Sequence, residues 1–152
     1  MAEHLLAVDD LRVTFGPPGR EQVAVDGVSF TLAPGEVLGI VGESGCGKSL
    51  TALSILGLIP DPPGRIAGGR IRLRGIDIAG TGDSAMNRIR GKEISMIFQE
   101  PMTALNPVFR IGEQIAETLR AHEGLGRAAA RMRALQMLER VGIGNPVQRM
   151  DQ

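Results

Sequence analysis

The sequence predicts an α/β fold in which a phosphate-binding loop joins a buried strand to a helix. The first observation is that residues 42–49 fit the pattern G-x-x-x-x-G-K-[ST], with an apolar run before them and an apolar helical pattern after them. The second is that residues on both sides of this loop alternate in polarity, which is typical of antiparallel strands. The third is that helical spacing dominates from Ile111 onward. The chain is therefore expected to combine a loop-bearing core, a β subdomain and the start of a helical one.

The residues before the loop predict short strands. Residues 5–15 alternate apolar and polar side chains, so we expect a strand there. Residues 23–25 and 28–32 predict two more strands around Asp26-Gly27, a favourable hairpin turn. Residues 36–41 are apolar on both faces, which indicates a buried parallel strand.

The residues after the loop predict a different order of elements. The helix that follows the loop is expected to end before Pro60. Residues 69–74 place arginines between apolar residues, so they predict an antiparallel strand with a solvated basic face. The remaining predictions are a short helix at 84–90, a buried strand at 94–98, a helix from Ile111, a helix at 128–141 and turns at 142–152.

The residue types in the loop suit a polyphosphate. Its glycines let successive backbone N–H groups point inward, and the helix behind it directs a positive dipole end at the same anion. Lys48 is expected to reach the outer phosphates, and the Ser49 hydroxyl can ligate Mg²⁺. Lys48 and Lys92 are the two lysines among 17 basic residues, so the ammonium group in the loop looks selected over a guanidinium. A glycine-rich turn that binds nothing is the alternative, whereas Leu50 rules out the dinucleotide pattern G-x-G-x-x-G.

Composition excludes several classes of protein. The net charge is zero, with four Phe and no Trp or Tyr, so neither a basic surface nor a stacking platform for nucleic acid is expected. One cysteine, Cys46, cannot form an internal disulfide, which suits a reducing compartment. The first residues do not resemble a signal peptide, and the longest apolar segment is too short to span a bilayer. We therefore expect a cytoplasmic, soluble chain, for which any connection to a membrane would go through a partner.

A second segment identifies a family. Residues 98–107, Phe-Gln-Glu-Pro-Met-Thr-Ala-Leu-Asn-Pro, resemble the glutamine loop of ABC-transporter ATPases, in the wording of the peptide-importer branch with its nickel and glutathione relatives. Residues 24–30, 42–49 and 90–94 also resemble that family, and the likeness runs from about Leu5 to the end. It implies a P-loop NTPase, the N-terminal half of an ABC nucleotide-binding domain. The implied parts are an antiparallel β subdomain (1–35 and about 68–78), a nucleotide-binding core (36–60 and 93–99), and the glutamine loop with the start of the helical subdomain (100–152).

The resemblance also implies ATP and Mg²⁺ as cofactors and gives individual residues a role. Phe15 matches the position that stacks on adenine, although a core strand Phe is the alternative. Gln99 is implied to approach Mg²⁺ beside Ser49 and to sense the γ-phosphate; its amide oxygen can ligate a metal without a fixed charge. Cys46 stands where relatives often have Ser, and we expect this thiol to be reactive. Leu50 stands where many ABC ATPases have Thr, so only its backbone N–H can bind the α-phosphate. The implied phosphate contacts are Gly42, Glu43, Ser44, Gly45, Cys46, Gly47, Lys48, Ser49 and Leu50.

The resemblance implies partners as well. These are a second ATPase subunit, transmembrane permease subunits and, indirectly, a solute-binding protein, with the chain at the cytoplasmic face of the membrane. The apolar candidates for contact with the permease are Met102, Leu105, Val108 and Phe109. Packing inside the helical subdomain is the alternative for Leu105 and Val108.

Parts of the hydrolytic machinery are not expected in this chain. Residues 5–10 imitate the apolar strand with a terminal Asp that binds Mg²⁺ (Walker B), but they precede the loop and are interpreted as the opening edge strand. No signature motif or switch histidine follows the loop, and His4 and His122 are interpreted as surface residues. We therefore expect an ATP-binding importer subunit whose residues 1–152 bind ATP·Mg with negligible turnover. The alternatives are a non-hydrolytic nucleotide-binding fragment, or the ATPase of a nickel or other small-solute importer; a small-molecule kinase is disfavoured by residues 99–107.

Overall fold

The computed structural model describes residues 4–99 and 104–152, which form two compact units divided between Asn87 and Arg88. Within those residues, no helix has the length and apolar character needed to cross a bilayer. The first unit contains β1 (Leu6–Phe15), β2 (Gln22–Leu32), α1 (Lys48–Ile55), β3 (Gly64–Leu73), β4 (Ile76–Asp77) and most of α2 (Asp83–Ile89). The second contains α3 (Ile111–Glu123), α4 (Arg127–Arg140) and α5 (Pro146–Arg149).

The first unit is built on an antiparallel sheet with strand order β2-β1-β3-β4. The predicted strand at 5–15 is confirmed as β1, but its predicted place at the edge is wrong. β1 is central, because β2 pairs along one side of it and β3 along the other. Val8, Leu11 and Val13 on β1 are almost fully buried and form the middle of the core. The β subdomain therefore draws its stability from a strand that is paired on both sides.

A bulge at Asp10 explains why the predicted hairpin at Asp26-Gly27 is wrong. β2 is one strand, and both of its halves pair with β1: Val25 opposite Val13, and Val28 opposite Leu11. Asp10 has a φ of 47°, and both ladders of β1 shift register around it. A Cβ on Gly69 would lie 2.6 Å from the Asp10 carbonyl oxygen, so a side chain there would clash with the bulge.

The predicted strand at 69–74 is confirmed and begins earlier, at Gly64. Ile71 and Leu73 are buried, while the arginines between them are exposed, as expected for a strand with one solvated face. Arg72 donates to the Asp9 carboxylate on β1 at 2.8 Å. The basic side chains of β3 therefore face solvent and a neighbouring acidic residue.

Both predicted helices of the first unit are confirmed, with shifted ends. α1 begins at Lys48 and ends at Ile55, and the short helix predicted at 84–90 is α2. The buried hydroxyls of Thr51 and Ser54 donate to carbonyls one turn earlier, at 3.0 and 2.7 Å. This back-bonding lets polar side chains face β1 and β2 without an unsatisfied donor.

The predicted buried strands at 36–41 and 94–98 are wrong. Residues 36–41 have no regular structure, and Val37 and Val41 are 95% and 93% exposed. Residues 94–98 contain only one bridge, between Ile94 and Arg90, and Ile97 is 95% exposed. A buried parallel strand must pair with neighbouring strands, and in the described ranges no strand pairs with either segment.

The second unit is a helical hairpin, as predicted. α3 and α4 pack through Ala116, Leu119, Ala130, Ala134 and Leu138, and Met150 completes the core. The predicted turns at 142–152 contain the short helix α5. Its end returns to the start of α3, where the Ile111 and Gly112 N–H groups donate to the carbonyls of Gln152 and Met150, at 2.8 and 3.0 Å. These carbonyls satisfy donors that a helix start would otherwise leave without partners.

Candidate functional site

The phosphate-binding loop follows the exposed segment 36–41 and ends on α1. Gly47 is the N-cap of α1 and has a φ of 93°, which favours glycine. A Cβ on Gly47 would lie 2.9 Å from the Ala24 carbonyl oxygen and 3.2 Å from Val25, both on β2. Glycine at this position therefore lets the loop end approach the sheet closely. A Cβ on Gly42 would lie 2.6 Å from the Cys46 Sγ, so the loop also closes tightly on itself.

The Lys48 ammonium group lies over the loop backbone. Its Nζ donates to the carbonyl oxygens of Gly42 and Glu43, at 2.7 and 2.6 Å, and lies 3.5 Å from the Cys46 Sγ. The positive charge of Lys48 is thereby held against the loop by two neutral carbonyl oxygens. An incoming anion offers the ammonium a partner of opposite charge, which attracts it more strongly than a neutral carbonyl oxygen does.

The start of α1 suits an anion and a divalent cation. The loop residues 42–46 and Ser49 are exposed, while Lys48 and Leu50 are half-buried. N–H groups in the first turn of a helix lack intrahelical acceptors, and they add to the positive end of the helix dipole. The Ser49 hydroxyl supplies a hard oxygen of the kind that Mg²⁺ prefers. These residues therefore fit a phosphate group with a magnesium ion.

Cys46 is an exposed free thiol. It lies within the loop, and its Sγ adjoins both Gly42 and the Lys48 ammonium. A group added to this sulfur must share the space that the loop encloses.

Phe15 lies at the end of β1, opposite Gln22 and Gly64. Its ring covers Gly64, where an added Cβ would lie 2.6 Å from the ring edge, and the ring remains half-buried. This position leaves part of the ring accessible, and the adenine role stays a prediction.

Gln99 is exposed and belongs to the second unit, whereas the phosphate loop belongs to the first. Gln99 and Ser49 thus belong to different units, and their joint role at Mg²⁺ stays a prediction. Glu100 and Met102 lie outside the described residues. Val108 is 82% exposed, so the alternative that it packs inside the helical unit is wrong. Leu105 is 46% exposed and lines a groove of that unit, so contact with the permease and packing in the unit both stay predictions for it. Phe109 is also exposed.

Residues 104–106 and 109, together with the adjacent helices, line a groove of about 600 Å³. Its apolar walls include Leu105, Phe109, Ile115, Leu119 and Met137. The role of Gln114, which also lines it, was not predicted. Gln114 holds residues 106 and 109 by hydrogen bonds to their backbone, and a contact between a side chain and a distant turn leaves no periodic signal in the sequence.

The acidic residues of the strand at 5–10 form ion pairs, and the two histidines lie outside the phosphate loop. Asp9 pairs with Arg72, and Asp10 with Arg12, so the imitation of a metal-binding strand at 5–10 serves the sheet. His4 is exposed, and the ring of His122 lies against Gly91. In the described ranges, no three acidic, His or Cys side chains gather closely enough to hold a metal.

Among the described residues, three carboxyl groups have a lowered pKa, and none of them belongs to residues 42–49. Backbone N–H groups of Glu21 and Gly19, with Arg65, lower the pKa of Glu21. A hydrogen bond from Arg120 lowers the pKa of Glu113, and one from Arg131 lowers the pKa of Asp151. These shifts favour the ionised forms that make the ion pairs.

Residues 25–152 match the family model described as ABC transporter. The chain belongs to the ABC transporter family. It is 49% identical over 148 residues to the oligopeptide transport ATP-binding protein OppD of Bacillus subtilis (strain 168), which covers 97% of this chain and 41% of that protein. It is 47% identical over 150 residues to the dipeptide transport ATP-binding protein DppD of the same strain, covering 99% of this chain and 45% of that protein.

A solved structure shows the same fold. The ATP-binding cassette MJ0796, in a dimeric post-hydrolysis state bound to ADP and Pi, matches with a TM-score of 0.76 and 20% sequence identity, covering 97% of this chain and 60% of that one. The predicted P-loop NTPase fold of an ABC domain is thereby confirmed. Family membership implies nucleotide binding, and the assignment of this role to residues 42–49 stays a prediction. The chain spans less than half the length of the two Bacillus relatives that it matches.

Proposed function

We propose that this chain forms part of an ATP-binding subunit that couples ATP binding and hydrolysis to the import of peptides. The observation that carries the proposal is the loop at 42–49, where the Lys48 ammonium is held at 2.7 and 2.6 Å by two backbone carbonyls at the start of α1. In the proposed complex Lys48 leaves these acceptors for the outer phosphates of ATP. Backbone N–H groups of the exposed loop residues and of the first turn of α1 bind the remaining phosphate oxygens.

A magnesium ion belongs to the proposed site. When bound, it would neutralise part of the charge on the phosphates. The Ser49 hydroxyl is proposed as one ligand and the Gln99 amide oxygen as another. Because the Gln99 side chain is neutral, no charge would fix it at the ion, and its position could report the state of the nucleotide to the residues that follow it.

The base of ATP is proposed to lie on Phe15. The ring ends β1, and Gly64 supports one side of it. An aromatic ring can stack on any base, so this contact adds affinity with little selectivity.

The proposed partners are a second ATPase subunit, permease subunits and, through these, a solute-binding protein. The names of the Bacillus relatives, oligopeptide and dipeptide transport ATP-binding proteins, support peptides as the solute. The exposed residues Leu105, Val108 and Phe109 are proposed to meet the permease, which would place the chain at the cytoplasmic face of the membrane.

Two lysine variants test the nucleotide site. The dissociation constant for ATP·Mg is measured by calorimetry for the chain, for Lys48→Ala and for Lys92→Ala; Lys92 lies exposed in a turn and is the matched control. Loss of the charge-assisted bonds is expected to weaken binding by about 10- to 100-fold in Lys48→Ala. Equal affinities in the two variants would contradict the proposal.

An assay of ATP turnover tests whether residues 1–152 hydrolyse the nucleotide that they are proposed to bind. We propose that residues 1–152 alone hydrolyse ATP negligibly, because the expected carboxylate strand, signature and switch histidine do not occur after the loop. Phosphate release that persists through purification and disappears in Lys48→Ala would contradict this part while supporting the nucleotide site.

A further inference from the structure

Gln114 lies in the first turn of α3 and reaches back to the segment that precedes the helix. Its Oε1 accepts from the Asn106 N–H at 2.8 Å. Its Nε2 donates to the carbonyls of Asn106 and Phe109, at 3.0 and 2.8 Å. One half-buried side chain therefore fastens both ends of a four-residue turn to α3.

The turn that Gln114 holds is also closed on itself. The Asn106 side chain accepts from the Val108 N–H at 3.0 Å, and the Phe109 N–H donates to the Asn106 carbonyl at 3.1 Å. Apolar side chains of this turn are exposed: Val108 is 82% exposed, and Phe109, which also lines the groove, is 59% exposed. The turn is thus an ordered platform that presents apolar groups to solvent.

The helix that carries Gln114 is itself anchored. The start of α3 donates to the carbonyls of Gln152 and Met150, and Ala116 and Leu119 are buried against α4. A Cβ on Gly112 would meet Met150 at 2.6 Å, so this end of α3 is tightly packed. Gln114 therefore links the platform to a rigid body.

We propose that Gln114 is a positioning residue that makes residues 106–109 move as one body with the α3–α4 hairpin. The inference rests on the proposed function, in which this platform meets the permease. With Gln114 in place, a displacement of the hairpin moves the platform by the same amount. Without it, the turn can rotate about its own hinge, and nucleotide-driven motion is lost before it reaches the partner.

The first test measures the hydrogen bonds in the chain itself. Gln114→Met keeps the side-chain length and removes all three bonds, while Gln114→Glu keeps the acceptor for the Asn106 N–H. Gln136→Met, at an exposed position on α4, is the matched control. Amide hydrogen exchange at Asn106 is expected to rise about tenfold in Gln114→Met, and less in Gln114→Glu, with helix amides unchanged. Exchange equal to that of Gln136→Met would overturn the inference.

The second test measures coupling in the full-length subunit assembled with its permease. Gln114→Met is expected to lower the ratio of peptide transported to ATP hydrolysed about threefold or more, with the affinity for ATP unchanged. A ratio equal to that of Gln136→Met would overturn the positioning role. Should the unsubstituted assembly neither bind nucleotide nor transport peptide, the proposed function fails, and with it the positioning role; the exchange result at Asn106 then stands as a finding about the turn alone.

Discussion

The antiparallel sheet and residues 36–41 contain the same kinds of apolar side chain, yet only the sheet buries them. Leu11 on β1 is 0% exposed, whereas Val37 is 95% exposed. β2 and β3 both pair with β1. In the described residues no strand pairs with 36–41 or with 94–98. The difference shows that an apolar run becomes a strand only where hydrogen-bonding neighbours are available.

The largest expected effect separates these two regions directly. Leu11→Ala leaves a cavity in the middle of the sheet, so it is expected to lower the free energy of unfolding by about 3 kcal/mol. Val37→Ala changes an exposed side chain and is expected to cost less than about 0.5 kcal/mol. Urea unfolding midpoints of the two variants check this prediction. Similar losses in both would mean that residues 36–41 are packed in solution, and the comparison would fail.

A smaller effect extends the comparison to the helical unit, where nearby chain also supplies the partner. A Cβ on Gly112 would lie 2.6 Å from the Met150 Cε and 2.9 Å from the Met150 carbonyl oxygen. Gly112→Ala is therefore expected to lower the stability of this unit by about 1–3 kcal/mol. Gly144→Ala is the control, because its added Cβ has no neighbour within 4 Å. Thermal unfolding followed by helical circular dichroism measures both, and equal melting temperatures would show that the end of α5 is not held against α3.

The buried side of this contrast could be predicted from the sequence, because local patterns show which residues form packed strands and helices. The exposed side could not. The alternation in β1 and the periodicity of α3 and α4 reflect faces that pack on nearby chain. The loop at 42–49 was predicted because glycines and Lys48 occur in a fixed order. The bulge at Asp10 was not, since its positive φ depends on Gly69 across the sheet. The exposure of 36–41 was not predicted either, because its burial depends on partners that a local pattern does not reveal.

The loop that follows residues 36–41 is held by contacts among its own residues. Alkylation of Cys46 tests whether the space enclosed by these contacts is the space that ATP needs. The added group must compete for space with Gly42 and with the Lys48 ammonium, 3.5 Å from the sulfur. Alkylation is expected to weaken ATP binding about tenfold, and ATP is expected to slow the alkylation. Cys46→Ser treated with the same reagent is the control. Unchanged affinity in the alkylated protein would refute this prediction.

The smallest effect concerns the ion pair that ties the last residues to α4. A hydrogen bond from Arg131 lowers the pKa of Asp151, so the folded chain keeps this carboxylate ionised at a lower pH than the unfolded chain does. The stabilisation is therefore present above the unfolded pKa, about 4, and is lost as the pH falls through the folded one. Asp151→Asn removes it. The difference in urea midpoint between the two proteins should shrink as the pH falls from about 6 to about 3; a constant difference would exclude this pair as the cause.

The central claim is that residues 42–50 hold the phosphates of ATP. The most direct measurement is the change in backbone amide chemical shifts of the ¹⁵N-labelled chain on titration with ATP·Mg. The largest changes are expected on residues 42–50, with smaller ones at Phe15, and Lys48→Ala is expected to abolish them at the same ATP concentration. Changes confined to the groove at 104–119, or none at saturating ATP, would contradict it.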